Sequence, residues 1–148
     1  MSEYNLQNKI SDFHMEKTLA TDYLGKLKTA VHKSSNLEVM IHIIEKPLMT
    51  DYLKIYRLDQ AIITMSLVKH DLIAQLYDVV QSSQLMYIIY EKIEGVSLSE
   101  FVLKNGTFSE NEVRIIISQI VNTATYLSNM SLYFRGINAD RIFIDEGK

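Results

Sequence analysis

Between residues 13 and 44 the apolar and β-branched positions come in short runs broken by turn residues. Gly25 punctuates the first connection, and Lys33-Ser-Ser-Asn36 separates two apolar stretches. This pattern predicts a meander of three strands. Pro47 closes it, and from residue 50 to 68 the period changes. Leu53, Tyr56, Ala61, Met65 and Val68 recur at helical spacing, which predicts one long helix. Residues 72–80 and 85–90 are rich in Ile, Val, Leu and Tyr and read as two further strands, with Gln81-Ser-Ser-Gln84 as the hairpin turn between them.

Two helix starts follow. Ser97-x-x-Glu100 and Ser109-x-x-Glu112 are capping boxes, in which the serine accepts from an orphan backbone N–H and the glutamate reaches back. The first helix is short and stops at Asn105-Gly106. The second runs to about Met130, with Val113, Ile116, Ile117, Ile120, Ala124 and Leu127 on one broad face.

A chain of 148 residues, 47% hydrophobic, suits one domain with a sizeable core. The net charge of −3 is spread without a basic patch, so neither nucleic acid nor an anionic membrane is an expected partner. No apolar run is long enough to span a bilayer, and the polar start Met1-Ser-Glu-Tyr-Asn lacks a signal-peptide core. The expected location is cytoplasmic, with a cytoskeletal setting. The absence of cysteine excludes disulfides, thiolate catalysis and cysteine-based zinc sites. His14, His32, His42 and His70 have no i, i+4 pairing of the kind a helical metal site uses, so no metal is expected.

The end of the chain carries the most specific signal. Tyr133-Phe-Arg-Gly-Ile-Asn-Ala-Asp-Arg-Ile-Phe-Ile-Asp145 resembles the catalytic loop of protein kinases, H-R-D-L-x-x-x-N and a short apolar strand. On that pattern Phe134 stands at the His, Arg135 at the Arg, Gly136 at the catalytic Asp and Arg141 at the metal-binding Asn. A glycine cannot orient a hydroxyl, and an arginine repels magnesium. The resemblance extends over residues 13–148. Leu19-Ala-Thr-Asp-Tyr-Leu-Gly-Lys-Leu27 stands for the glycine-rich loop, with Gly25 retained, and Val39-Met-Ile-His42 for V-A-I-K. His42 thus replaces the lysine, and Ala61 stands where the helix would carry its glutamate partner. His70-Asp-Leu-Ile73 resembles H-P-N-I, Met86-Tyr-Ile-Ile-Tyr-Glu91 the strand leading to the hinge, and Gly95 the glycine beyond it. Asn105-Gly-Thr-Phe-Ser-Glu-Asn-Glu-Val-Arg114 with Gln119-Ile120 is especially similar to calmodulin-dependent and AMP-activated kinases.

The resemblance implies an α+β, kinase-like fold: a small lobe of five antiparallel strands and one helix, then the first helices and the catalytic-loop strand of an incomplete large lobe. The divisions expected are an N-terminal extension, 1–12, a small lobe, 13–92, and a partial large lobe, 93–148. Leu27, Met40 and Phe143 are larger than the residues that line the family's adenine pocket, so the pocket is expected to be filled by the protein itself and no nucleotide or other cofactor is expected. Ala20 and Asp22 replace glycines that would let backbone N–H groups approach a phosphate. The sequence ends at Lys148, ahead of the family's D-F-G and activation segment.

Blander readings compete at several positions. His42 on an apolar strand reads as a packed core histidine, the nine tyrosines sit at core spacing without basic interleaving, and Arg135 reads as a surface or structural arginine. The broad face of helix 109–130, with Val113, Ile116, Ile117, Ile120 and Leu127, lacks the large-lobe helices that cover it in kinases, which implies a protein partner or a second copy there. The expectation is therefore a protein that is not an enzyme: an inactive pseudokinase serving as a structural or scaffold subunit of a larger, cytoskeletal or axonemal assembly. The alternative is a regulator that docks on an active kinase through helix 50–68.

Overall fold

The computed structural model describes residues 10–21, 25–48, 51–133 and 136–145. They form two compact units, one made of residues up to 67 together with 74–92, the other of 68–73 together with residues from 93 onward.

The first unit is built on a five-stranded antiparallel sheet. Its strands are β1 (Phe13–Thr21), β2 (Gly25–His32), β3 (Glu38–Glu45), β4 (Leu76–Gln81) and β5 (Leu85–Glu91), in spatial order β1-β2-β3-β5-β4. The β2–β3 hairpin closes over Lys33-Ser-Ser-Asn36: the Asn36 N–H donates to the His32 carbonyl at 2.8 Å, and Asn36 takes the left-handed φ of 54° that asparagine tolerates. At the β4–β5 turn the Leu85 N–H donates to Ser82 Oγ at 3.0 Å. Gly25 opens β2 because the backbones crowd there. A Cβ on it would lie 1.8 Å from the Ile43 carbonyl oxygen.

Strand alternation divides the core between the two faces of the sheet. On one face Ala30, Val39, Ile41, Val80 and Ile89 are buried, with Ile10, Phe13 and Met15 packed against them. On the other, Ile44, Leu76, Met86 and Ile88 are buried under Leu58, Ile62 and Met65 of helix α1 (Tyr52–Leu67). Each fully buried aliphatic side chain contributes roughly 1.5–3 kcal/mol, which makes β3 and β5, the source of Val39, Ile41, Ile44 and Ile88, the centre of the unit.

The helix exists where its periodicity predicts, and its described residues begin at Tyr52; Thr50 lies outside them. Which face packs is a different matter. Of the residues that carried the helical spacing, Leu53 and Tyr56 are 59% and 53% exposed and Ala61 is exposed, while Met65 turns to the sheet. The inward stripe is Leu58, Ile62 and Met65. The expected strand 72–80 is shorter than its composition suggests. Residues 71–73 form a turn in which the Ile73 N–H donates to the His70 carbonyl at 3.0 Å and the Leu72 N–H to His70 Nδ1 at 3.1 Å, so β4 starts at Leu76. A side chain that satisfies the backbone locally removes it from the ladder.

The second unit contains β6 (Val96–Ser97), α2 (Leu98–Asn105), α3 (Glu110–Asn129) and β7 (Phe143–Ile144), with β6 and β7 paired antiparallel. Both capping boxes are formed. Ser97 accepts from the Glu100 N–H while Glu100 accepts from the Ser97 N–H, and Ser109 with Glu112 do the same. Gly106 ends α2 at φ 89°, and Met130 caps α3. Segment 68–73 is tied to α3: the Lys69 N–H donates to the Tyr126 hydroxyl at 3.2 Å, and the rings of His70 and Tyr126 lie 4.8 Å apart. The rings of Phe101 and Phe108 stack at 4.7 Å.

Candidate functional site

In the first unit the relevant positions lie on the central strands. His42 sits in β3 opposite Leu27 on β2 and Ile88 on β5, half-buried. Alternation along β3 places it on the same sheet face as Met40 and Ile44, the face that carries α1. Met40 is 8% exposed and pairs with Thr29 and Tyr90. Burial pushes the Tyr90 phenol above its ordinary range. Ala20 lies on β1 opposite Leu27, beside an irregularity in the β1–β2 register. Asp22 lies outside the described residues.

In the second unit the loop ahead of β7 is organised by Asn138. Its Oδ1 accepts from the N–H groups of Asp140 and Arg141, both at 3.1 Å, and caps a single 3-10 turn over Ala139–Arg141. This turn brings Arg141 back to Gly136. A Cβ on Gly136 would meet Arg141 Nη1 at 2.6 Å, so the guanidinium fills the space beside the glycine. The positions matched to the catalytic aspartate and the magnesium-binding asparagine are thus adjacent in space. The arrangement sets an arginine side chain where the family's pattern requires a carboxylate and a neutral metal ligand. Phe134 and Arg135, the other matched positions, lie outside the described residues. Phe143, on β7, is 40% exposed. Among the described residues no cluster of three or more His, Asp or Glu gathers as a metal site.

The broad face expected on α3 divides in two. Leu127 is 8% exposed and lies inside the unit, and Ile116 and Ile120 are half-buried on the same side. Val113 and Ile117 are 44% and 52% exposed and continue to Val121 at 54%. The exposed stripe is therefore Val113, Ile117 and Val121 at i, i+4 and i+8.

Two features escaped the sequence reading. The tie between segment 68–73 and Tyr126 has no local signature. An open apolar concavity of about 470 Å³, lined by Leu98, Val102, Leu103, Phe108 and Ala139 with Ser99, depends on a loop folding back onto α2. Only Leu103 and Phe108, apolar residues near the helix stop, could have hinted at it.

A family profile for the protein kinase domain matches residues 13–148. Among curated relatives, CBL-interacting protein kinase 32 of Oryza sativa subsp. japonica is 23% identical over 145 residues, covering 98% of this chain and 33% of the relative. CBL-interacting serine/threonine-protein kinase 8 of Arabidopsis thaliana is 25% identical over 137 residues, covering 93% and 31%. The chain thus spans about a third of the length of the curated relatives it matches. Among solved structures, that of Rad53 1–466 in complex with AMP-PNP superposes with a TM-score of 0.81 at 22% identity, covering 95% of this chain and 38% of that one.

These findings bear out the kinase-like α+β fold and its five-stranded sheet. They overturn the expectation that the chain is not an enzyme, because its relatives are named protein kinases and its fold is theirs. With the sheet, the helices and the loop at Gly136 all matched, this chain belongs to the protein kinase domain family.

Proposed function

We propose that this chain is the small lobe and the first large-lobe elements of a protein kinase domain in which phosphoryl transfer is slowed by substituted residues and protein binding has become the main output. The activity class of the whole protein is that of its relatives, transfer of a phosphoryl group from a nucleotide to a protein hydroxyl. Within this piece His42, Ala61, Gly136 and Arg141 stand at positions where the family pattern has a lysine, a glutamate, an aspartate and an asparagine. Each substitution removes a charge or ligand that positions phosphates or metal, and positioning supplies most of the catalysis in this reaction class. Leu27 and Met40 add bulk on the side where a purine would pack.

The observation that carries the binding role is the exposed stripe Val113, Ile117 and Val121 on a helix whose other side is turned inward. Leaving such a stripe in water costs about 25 cal/mol for each Å² of apolar surface, which a protein surface laid against it recovers. The role that follows is a scaffold, with α3 as the contact element. The test is a pull-down with Ile117→Glu/Val121→Glu beside the unaltered chain, together with a radiolabelled phosphoryl-transfer assay on both. Loss of bound protein with unchanged transfer supports the reading. Retained binding by the double variant overturns it.

A further inference from the structure

Asn105-Gly106, where α2 gives way to the cap of α3, is the one place in the sequence where glycine follows asparagine. In such a pair the next backbone nitrogen reaches the asparagine side chain with least hindrance, because glycine has no Cβ. At the other asparagines among the described residues the following residue is Leu37, Glu112, Thr123, Met130 or Ala139, and each sets a Cβ beside the nitrogen that would attack. The structure leaves the pair open. Residues 104–107 are exposed, and nothing lies within 4 Å of where a Cβ on Gly106 would stand. The attacking nitrogen is held through the hydrogen bond from the Gly106 N–H to the Val102 carbonyl, at 3.0 Å. This bond closes the last turn of a helix of 8 residues, and helix ends open at little cost in free energy.

We propose that Asn105 is a site of spontaneous deamidation, gated by the opening of the last turn of α2. When the Gly106 N–H releases the Val102 carbonyl, the Gly106 nitrogen gives its proton to solvent base and bonds to Asn105 Cγ. The bond from Cγ to Nδ2 breaks, and Nδ2 takes a proton from water and leaves as ammonia. The cyclic imide then takes up water. Opening at Cγ gives aspartate, and opening at the backbone carbonyl gives isoaspartate, in which the main chain runs through the former side chain. No oxidant or reductant enters. Both products set a carboxylate at the C-terminal end of α2, where the helix dipole disfavours a negative charge. Isoaspartate also adds a methylene to the backbone between Lys104 and Gly106. The same connection leads to Phe108, which stacks on Phe101 and lines the apolar concavity with Val102 and Leu103.

The test uses the full 148-residue protein, incubated at neutral and mildly alkaline pH both folded and in urea. Trypsin, cutting after Lys104 and Arg114, then releases residues 105–114. Mass spectrometry locates the deamidated residue in that peptide, and an isoaspartyl methyltransferase counts the isoaspartate. Conversion of Asn105 in the folded protein is expected to rise with pH and to run within about tenfold of the rate in urea, as the small cost of opening a helix end requires. Asn36, Asn111, Asn122 and Asn129 are expected to stay intact over the same period. Gly106→Ala is expected to slow conversion several-fold in urea, where the fold no longer contributes and the added Cβ acts alone. A folded protein that keeps Asn105 intact while the chain in urea converts would mean that the bond to Val102 closes the site, and overturns the proposal. Conversion at Asn36 or Asn129 as fast as at Asn105, or a rate that does not rise with pH, overturns it as well.

Discussion

The guanidinium of Arg141 occupies the space a side chain at Gly136 would take, 2.6 Å from where its Cβ would stand. The two substitutions in this loop are therefore spatially coupled. Reverting Gly136 alone would set a carboxylate against the Arg141 cation, which pairs with it, instead of against a metal ligand. A carboxylate introduced by Gly136→Asp is expected to titrate below the ordinary aspartate range, and to return toward it when Arg141→Asn is added. Carbon-detected NMR titration of the two variants checks this.

Two glycines with nearly equal φ should respond unequally to alanine. Gly106, at φ 89°, has open space around it, so Gly106→Ala is expected to cost about 1–3 kcal/mol from backbone conformation alone. Gly95, at φ 91°, would set a Cβ 1.9 Å from the Ile144 carbonyl oxygen. Gly95→Ala should therefore cost more and separate β6 from β7. Hydrogen exchange at the Leu98 N–H, which donates to the Ile142 carbonyl at 2.7 Å, should lose protection in Gly95→Ala and keep it in Gly106→Ala.

The cap of α3 should be sensitive to acid. Hydrogen bonds from the Ser109 hydroxyl and backbone N–H hold the Glu112 carboxyl below its ordinary value. A group with a depressed folded pKa contributes stability above its unfolded pKa and loses it as pH falls through the folded one. The α3 N-terminus is therefore expected to be fully capped above about pH 4.5 and to loosen below it. In acid titrations followed by circular dichroism, Glu112→Gln should remove this part of the pH dependence.

Truncations along α3 should separate its two sides. Leu127→Ala removes a buried side chain and is expected to cost about 2–5 kcal/mol, whereas Ile117→Ala, on the exposed stripe, should stay within about 0.5 kcal/mol. Urea denaturation of the two variants makes the comparison.

The order of elements was legible because each carries local signals: β-branched runs between Ser- and Asn-rich turns, paired capping boxes at Ser97 and Ser109, and a glycine stop at Gly106. Faces were less legible where a helix is apolar on two sides. On α1 the spacing of Leu53, Tyr56, Ala61, Met65 and Val68 indicated a helix, but could not choose between its outward stripe and the Leu58, Ile62 and Met65 stripe that packs. The start of β4 was hidden because His70 captures the backbone of Leu72 through its own ring. At the site, the identities of His42, Ala61, Gly136 and Arg141 were readable from the family pattern. The contact between Gly136 and Arg141 was not, since it depends on the 3-10 turn capped by Asn138.

The central claim, that this kinase-domain piece acts mainly by holding a protein against α3, is tested most directly by quantitative recovery. The tagged chain and its Ile117→Glu/Val121→Glu variant are purified from native cells in high salt and compared by mass spectrometry. The account predicts a stoichiometric set of proteins with the unaltered chain that is lost with the variant. Equal recovery with both would contradict it.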